Sequence, residues 1–489
     1  MEKRSRLRVL IAIVAITASP AAAAQAPQVK VETGTLAGSV EGGVESWKGI
    51  PFATPPIGPL RWRAPQPAAP WSGVRQATAY GNDCMQKPFP SDAAPLGTPP
   101  AEDCLYANVW RPAGAKAKLP VLFWIYGGGF VNGGSSPAVY SGANLARQGT
   151  LVFSFNYRVG RFGTFAHPQL TQHNADGGLL GNYGYMDQIA ALKWVQRNIA
   201  AFGGDPANVT IVGESAGGRS VNTLVTSPMA QGLFAKAVIM SGGDGTSANV
   251  SGIGEAEKIG IAFAASKGIS VDDPEALAKL RALSAEAVTD GLNLADLFNP
   301  GTGPRTFAMP FEDGRIAVDS GKAYSSGAFA KVPTMIGATS ADIGGRTGVM
   351  LTGARETATT IAAAGVPVYA YRFSYVAESL PRREGAQHAT DIPFFFGTID
   401  VPYQGKTTPR DVGMSKAIST YLVNFAKRGD PNGGKLPAWP RYSRATDMLA
   451  NFAEDGTVIP QKDPWGPELD AASSSRSVPP PASPATRPR

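Results

Sequence analysis

The sequence predicts an α/β fold in which a mostly parallel central sheet is covered by helices on both faces. Two observations support this prediction. Short apolar runs with the β-branched and aromatic content of buried strands recur along the chain, and segments with apolar residues at helical spacing lie between them. Strands that alternate with helices build parallel sheets, and such sheets bind ligands at the carboxyl ends of their strands. Functional residues are therefore expected directly after predicted strands.

Six segments are predicted to be strands of this sheet. Each is short and apolar, as strands buried on both faces are. They cover residues 119–127, 150–157, 208–213, 236–242, 332–337 and 366–373.

The clearest helical patterns cover residues 184–202, 273–288 and 412–428. In the second segment, Asp273 is the predicted N-cap and Pro274 lies in the first turn. Gly429 and the proline two residues later end the third segment.

The chain divides into three regions. Residues 1–24 combine basic side chains, an apolar stretch and a small-residue end, which predicts a signal peptide cleaved before Gln25; an uncleaved N-terminal anchor is the alternative. Residues 25–470 are predicted to form one domain, because no linker or repeat interrupts them. Residues 471–489 are rich in Ser, Pro and Ala and are predicted to be disordered. We expect an exported protein, periplasmic or secreted, with no stable insertion into a membrane.

The net charge of +7 is concentrated at the two ends of the chain. Residues 1–24 and residues 471–489 each carry +3, so the region between them is nearly neutral. Nucleic-acid binding needs a basic patch or stripe that contacts phosphates. The charge pattern therefore argues against nucleic acid as a partner.

Cys84 and Cys104 are the two cysteines of the chain. In an exported protein such a pair is predicted to form one disulfide worth roughly 3 kcal/mol, with two free thiols as the alternative. With so few cysteines and only three histidines, no metal site is expected.

A Gly-x-Ser-x-Gly pattern is centred on Ser215. In a chain with 57 glycines the pattern alone is weak evidence. Its context is stronger, because it follows the apolar run 208–213 and precedes a helical pattern, as a nucleophile elbow does. At such an elbow the N–H of Ala216 and the positive end of the helix face the reacting carbonyl. Ser215 is therefore a candidate nucleophile.

Three consecutive glycines, Gly127 to Gly129, follow another predicted strand. Their bare backbone N–H groups can approach a substrate oxygen closely, as in an oxyanion hole. A plain glycine turn is the alternative.

His388 is the candidate general base. The other two histidines, His167 and His173, precede Ser215, whereas an elbow serine is followed along the chain first by the acid and then by the histidine.

The acid is expected between the serine and the histidine, just after a strand. Asp342 follows the predicted strand 332–337 and meets this condition. Asp313 is its rival, although it precedes a glycine and is typical of a turn. Glu214 adjoins the serine but is expected to face away from it and to tune the electrostatic field of the site.

Several segments resemble the type-B carboxylesterase and lipase family, which also contains the cholinesterases. The resemblance covers nearly all of residues 30–445. It is most specific in "FGGDPANVTIVGESAGG" at residues 202–218 and in "EDCLYANVW" at residues 102–110, which are similar to the two signatures of that family. The resemblance implies an α/β-hydrolase fold.

The resemblance also implies roles for individual residues. Ser215 would be the nucleophile, Asp342 the acid and His388 the base, and Cys84 would pair with Cys104. The oxyanion donors would be Gly128, Gly129 and Ala216.

Three features depart from the family pattern. The acid is commonly Glu, and here it is Asp342. Cholinesterases carry a choline-binding tryptophan between the two cysteines, and this chain has none, so a quaternary-ammonium substrate is not expected. The segment 342–388 is short, so helices that usually help to roof the pocket are expected to be missing.

The expected activity is hydrolysis of a small-molecule carboxylic ester through an acyl-enzyme, without a cofactor. A lipase, an amidase, or a polyester or toxin-ester hydrolase of the same fold is the alternative among enzymes. A binding protein without catalysis is the alternative of a different class, because the family includes members that lost their serine. The complete set of serine, histidine and aspartate argues against a binding protein.

Overall fold

The computed structural model describes residues 26–89, 92–116, 118–245, 251–299, 301–381 and 384–476. The predicted signal peptide, residues 1–24, lies outside the described residues, as do residues 477–489 of the predicted tail.

The described residues form sixteen strands. In chain order these are β1 (Gln28–Val31), β2 (Gly34–Ala37), β3 (Ser39–Glu41), β4 (Val44–Pro51), β5 (Val74–Gln76), β6 (Asp83–Cys84), β7 (Pro100–Ala101), β8 (Tyr106–Pro112), β9 (Leu119–Ile125), β10 (Leu151–Phe155), β11 (Gly204–Glu214), β12 (Lys236–Met240), β13 (Thr334–Thr339), β14 (Val368–Phe373), β15 (Met448–Phe452) and β16 (Val458–Lys462).

Fifteen α-helices lie within the same described ranges. They are α1 (Ala143–Arg147), α2 (Gly160–Gly163), α3 (Pro168–His173), α4 (Tyr183–Asn198), α5 (Ala216–Thr226), α6 (Ile253–Ser266), α7 (Ala276–Ala282), α8 (Ala285–Thr289), α9 (Leu294–Phe298), α10 (Ser320–Ser326), α11 (Val349–Ala363), α12 (Ile392–Phe396), α13 (Asp400–Tyr403), α14 (Pro409–Arg428) and α15 (Gly466–Arg476). Short 3-10 helices cover Gly58–Leu60, Ala138–Tyr140, Ile199–Phe202 and Pro228–Ala230.

Eleven strands form the central sheet, in the order β16-β15-β14-β13-β12-β11-β9-β10-β8-β4-β3. The seven strands from β15 to β10 are parallel to one another. The strands at the two edges, β16 on one side and β8, β4 and β3 on the other, are antiparallel. The prediction of a mostly parallel sheet is confirmed.

The central strands are buried on both faces. Every residue of β9, β10, β12 and β13 is buried. Successive side chains of a strand point to opposite faces of the sheet, so burial of the whole strand requires a cover on each face. All six strands predicted from apolar runs are present, as β9 to β14.

Two of the three predicted helices are confirmed, and one is wrong. Two of them form as α4, extended by the 3-10 turn at Ile199–Phe202, and as α14. The prediction of a single helix over 273–288 is wrong, because the segment forms two short helices, α7 and α8. Ser284 separates them, since its side chain accepts a hydrogen bond from the N–H of Ala287 and so caps the second helix.

The predicted boundary of the disordered tail is also wrong. Residues 471–476 belong to α15, which begins at Gly466. Leu469 on this helix is 1% exposed and packs with Leu351 in a small apolar cluster. Asp470 forms ion pairs with Arg355 and Arg444. These contacts near the start of the helix attach it to the domain. The ordered domain therefore extends beyond residue 470, the predicted boundary.

Cys84 and Cys104 form a disulfide, and both residues are buried. The bridge joins the last residue of β6 to the segment between β7 and β8. Within the described ranges, no helix is long and apolar enough to cross a membrane.

Candidate active site

Ser215 lies at the turn between β11 and α5. β11 ends at Glu214 and α5 begins at Ala216, and Ser215 between them has φ 57°. A non-glycine residue rarely adopts such a positive φ, and it marks a strained turn. A Cβ on Gly217 would lie 2.0 Å from the carbonyl oxygen of Ile125, so only glycine fits there. The sequence therefore folds into the predicted strand-turn-helix at the serine.

Ser215, His388 and Asp342 form one chain of hydrogen bonds. Nε2 of His388 lies 2.8 Å from Oγ of Ser215, and Nδ1 lies 2.6 Å from Oδ1 of Asp342. The three residues stand 173 and 46 positions apart in the chain, so only the fold brings them together.

A short backbone contact places the imidazole beside the carboxylate. Asp342 follows β13, as predicted, and the adjacent Ala341 pairs with Gln387 in an isolated parallel bridge. The N–H of Ala341 donates a 2.8 Å hydrogen bond to the carbonyl of Ala386. The loop that carries the histidine is therefore attached to the loop that carries the acid.

The Asp342 carboxylate is buried and well supplied with donors. Its Oδ2 accepts hydrogen bonds from the hydroxyl of Ser241 at 2.7 Å, and from the hydroxyl and N–H of Thr339 at 2.8 and 3.1 Å. Burial favours the neutral acid, but the hydrogen bonds and the charge of His388 outweigh it and hold the pKa of Asp342 below its ordinary value. The carboxylate is therefore ionised at neutral pH.

Asp313 and the other two histidines lie in structural positions. Asp313 accepts hydrogen bonds from the N–H groups of a turn, residues 315–317, and from the side chain of Asn182. His167 is buried at the start of α3, where it accepts a hydrogen bond from a backbone N–H. His173 is exposed at the end of that helix. None of these three residues hydrogen-bonds to Ser215 or His388.

The predicted oxyanion donors, Gly128, Gly129 and Ala216, line the same cavity as Ser215. No described residue accepts a hydrogen bond from their N–H groups. Gly128 has φ 102°, and a Cβ there would lie 2.3 Å from the carbonyl oxygen of Asn132. The loop can therefore adopt this path only with glycine.

Glu214 reaches the same ring nitrogen of His388 as Ser215 does, which corrects the expectation that it faces away from the serine, and from there it can tune the electrostatic field of the site. Its Oε1 lies 3.3 Å from Nε2 of His388 and has no hydrogen-bond partner among the described residues. Glu214 is 2% exposed, and burial raises its pKa to about 8, although the charge of His388 opposes the rise. Burial also lowers the pKa of His388, but Glu214 and Asp342 outweigh this effect and raise it above 6.5.

Asp391 is a third buried acid near His388, and the sequence did not predict it. It is fully buried, and its Oδ2 accepts a hydrogen bond of 3.2 Å from the hydroxyl of Tyr371. Burial and the nearby charge of Asp342 raise the pKa of Asp391 to about 7. Its position three residues after His388 is the only sequence signal for it.

A cavity of about 680 Å³ opens above these groups. Ser215 and His388 lie in its wall, and most of the remaining wall is apolar. The segment between the acid and the histidine contributes part of this wall, including Ile343 and Met350. Other apolar lining residues are Phe89, Val139, Leu294, Leu297, Phe298 and Met309. A cavity of this size suits one small organic molecule.

Comparisons with known proteins show the family to which the chain belongs. The sequence model described as "Carboxylesterase family" matches residues 25–350 and 346–464. The chain is 34% identical to the para-nitrobenzyl esterase of Bacillus subtilis (strain 168), over 86% of this chain and 93% of that protein. It is 31% identical to the fumonisin B1 esterase of Sphingopyxis macrogoltabida, over 90% of each. A solved structure titled "thermophylic PNB esterase" superposes with a TM-score of 0.80 at 30% identity, covering 91% of this chain and 99% of that one.

Proposed function

Because the chain belongs to the carboxylesterase family, it is a carboxylic-ester hydrolase, and we propose that Ser215 is its nucleophile, His388 its general base and Asp342 its acid. One observation carries this proposal: the unbroken hydrogen-bond chain from the Ser215 hydroxyl through the imidazole to the carboxylate, at 2.8 and 2.6 Å. A base that contacts the hydroxyl, and that an ionised carboxylate orients in turn, is the arrangement that activates a serine.

The reaction proceeds in two half-reactions. His388 takes the proton of Ser215 while Oγ attacks the ester carbonyl carbon, and it then gives that proton to the leaving alcohol. The acyl group remains on Ser215. A water molecule, deprotonated by His388, attacks the acyl-enzyme in the same way and releases the acid. Asp342 stays ionised throughout and stabilises the imidazolium.

The oxyanion that forms in each half-reaction is stabilised by backbone donors. Gly128, Gly129 and Ala216 line the cavity, and no described residue accepts a hydrogen bond from their N–H groups. Loss of one donor of this kind typically lowers kcat by about 10²- to 10³-fold. The reaction needs no metal or cofactor step.

The largely apolar cavity supports a small-molecule ester with an apolar acyl or alcohol group as the substrate. An aryl or benzyl ester fits this description, and the name of the para-nitrobenzyl esterase relative supports the same class. p-Nitrophenyl butyrate is therefore a suitable probe substrate.

Labelling with a fluorophosphonate tests the proposal directly. The probe phosphonylates a serine that a neighbouring base activates, so we expect one modified peptide that contains Ser215 and loss of activity in proportion to labelling. A protein that hydrolyses the ester while Ser215 stays unlabelled would refute the assignment. A protein that neither reacts with the fluorophosphonate nor hydrolyses the ester would support the alternative of a binding protein.

A lipase is the second candidate, because apolar side chains are exposed at the mouth of the cavity. Phe298 is 59% exposed and Leu380 is 37% exposed, and both line the cavity. Activity that rises sharply when a triglyceride substrate forms an emulsion would support a lipase, and activity proportional to dissolved ester would support the esterase.

We also propose that the protein is exported after cleavage of residues 1–24. The basic and apolar pattern of these residues and the buried Cys84–Cys104 disulfide support export, since disulfides persist in oxidising compartments. Mass spectrometry of the mature protein tests this, because cleavage would leave Gln25 as the first residue.

A further inference from the structure

Arg219 is a cation in the wall of the catalytic cavity, and the described residues provide no counter-ion for it. It lies four residues after Ser215 on α5, and it is partly buried. No described residue accepts a hydrogen bond from its guanidinium or forms an ion pair with it; its side chain lies over the ring of Phe130, 5.9 Å from the centroid. We propose that Arg219 binds a carboxylate of the substrate, so that the preferred esters carry an anionic group a few bonds from the scissile carbonyl. This inference rests on the proposed esterase function.

The buried arginines of the domain show which partners a desolvated guanidinium takes in this fold. Each of them donates hydrogen bonds to carboxylates or to backbone carbonyls. They are Arg61, Arg158, Arg161, Arg355 and Arg372. A charge removed from water normally has such partners, because desolvation without compensation is costly. A partly buried guanidinium without a described partner, in a cavity that receives the substrate, is therefore available to a ligand.

The position of Arg219 relative to the nucleophile limits where that ligand group lies. The N–H of Arg219 donates a 2.8 Å hydrogen bond to the carbonyl of Ser215, so the two residues are one helical turn apart, about 6 Å along the axis. The ring of Phe130, which the guanidinium faces, directly follows the proposed oxyanion glycines. A carboxylate bound by Arg219 would thus lie on the oxyanion side of the cavity, several bonds from the ester carbon.

Three acidic residues also line the cavity, and each would repel an anionic substrate when it is ionised. Burial raises the pKa of Asp92, which favours its neutral form. Glu214 faces His388, with Oε1 3.3 Å from Nε2, so its charge acts mainly on the imidazole. Asp244 is the third, and it forms no ion pair with Arg219 within 4.0 Å. The exposed Glu312 faces a smaller pocket that Arg219 also lines. Repulsion by Asp244 is therefore the effect that a test must separate from direct binding by the arginine.

Arginine suits a carboxylate better than it suits a neutral polar group. Its planar fork can donate two parallel hydrogen bonds to the two carboxylate oxygens, and charge-assisted bonds of this kind are about twice as strong as neutral ones. Within the apolar wall of this cavity, such a contact would orient the ester over Ser215. Arg219 is thus a specificity-determining residue in this proposal and takes no part in the proton transfers.

Pairs of esters that differ only in charge test the proposal. Monomethyl adipate is compared with methyl 6-methylheptanoate, in which an isopropyl group replaces the carboxylate on the acyl side. 3-(Butanoyloxy)propanoate is compared with 3-methylbutyl butanoate, which makes the same replacement on the alcohol side. The variants are Arg219→Met and Arg219→Lys, and Arg197→Met is the matched control, because Arg197 pairs with Glu32 on the surface and does not line the cavity.

We expect Arg219→Met to lower kcat/KM for the anionic ester of at least one pair by about 10- to 100-fold and to leave its neutral partner nearly unchanged. Arg219→Lys should retain part of the preference, and Arg197→Met should retain all of it. Equal effects on the charged and neutral members of both pairs would overturn the proposal. Recovery of kcat/KM for the anionic ester in the double variant Arg219→Met/Asp244→Asn would also overturn the proposal. In that case Arg219 would act only by offsetting the charge of Asp244. If the proposed esterase function itself were wrong, the unmodified protein would not hydrolyse the neutral esters either.

Discussion

Oε1 of Glu214 lies 3.3 Å from Nε2 of His388, the same ring nitrogen that contacts the hydroxyl of Ser215. A second carboxylate thus reaches the imidazole from the side of the nucleophile, opposite Asp342. This contact links the acid that precedes the serine to the protonation of the proposed base.

The contact predicts how Glu214→Gln changes the pH dependence of the reaction. The general base acts only when its imidazole is neutral, so kcat/KM rises as pH rises through the pKa of His388. Glu214 and Asp342 raise that pKa above 6.5. Removal of one carboxylate lowers it, so the acidic limb of the profile should move to lower pH by about one unit or more.

Measurement of kcat/KM for p-nitrophenyl butyrate from pH 5 to 9.5 checks this shift, with ionic strength held constant. Glu356→Gln is the control, because Glu356 is exposed on α11 and does not line the cavity. An acidic limb that stays in place, or that moves to higher pH, would contradict the proposed influence of Glu214 on the imidazole.

The two candidate acids are distinguished by a pair of amide substitutions. Asp342→Asn removes the charge that stabilises the imidazolium and should lower kcat by about 10⁴-fold. Asp313→Asn should have a mild effect on kcat, because Asp313 accepts hydrogen bonds from a turn and does not contact His388. The measurement is kcat for the same ester at pH 8. A larger loss in the Asp313 variant would reverse the assignment.

Ser215→Ala should lower kcat by about 10⁶-fold and leave the fold intact, because the side chain is needed for the covalent step. Ser220→Ala is the matched control on the same helix; its hydroxyl donates to the carbonyl of Ala216 and accepts from the side chain of Gln188. That variant should keep its turnover and lose about 1 kcal/mol of stability. Near-normal turnover in Ser215→Ala would remove the serine from the mechanism.

The central sheet could be predicted from sequence because its strands carry a local signal. β9 and β12, for example, bury every residue, so each is an unbroken apolar run. The serine and histidine of the candidate site could be predicted from a motif, its context and a total of three histidines. Asp342 could be predicted as their partner because it lies just after a strand.

Other residues of the site depend on tertiary structure that no local pattern records. Glu214 was expected to face away from Ser215, but the strand ends at Glu214 and the positive φ of 57° at Ser215 lets both side chains reach His388. Asp391 became evident only through its burial beside Tyr371. Arg219 became evident only because the described residues leave its guanidinium without a partner.

The end of the domain illustrates the same limit. Composition placed the start of the disordered tail at residue 471, whereas α15 continues to Arg476. Its anchor is Leu469, which is 1% exposed and packs against Leu351. Leu469→Ala should therefore lower the free energy of unfolding by about 3 kcal/mol, the usual cost of a leucine deletion in a core. Urea denaturation followed by tryptophan fluorescence measures the change.

Glu468→Ala is the control for this substitution, because Glu468 is the preceding residue of the same helix but is 48% exposed and, among the described residues, forms an ion pair only with the exposed Arg346. An exposed ion pair contributes little to stability, so we expect a change of no more than about 0.5 kcal/mol. Equal small effects of the two substitutions would mean that α15 does not pack on the domain in solution, and the tail would then begin before Gly466. A large loss of stability in Leu469→Ala alone would mean that α15 packs on the domain in solution, because only a buried side chain leaves a cavity when it is removed.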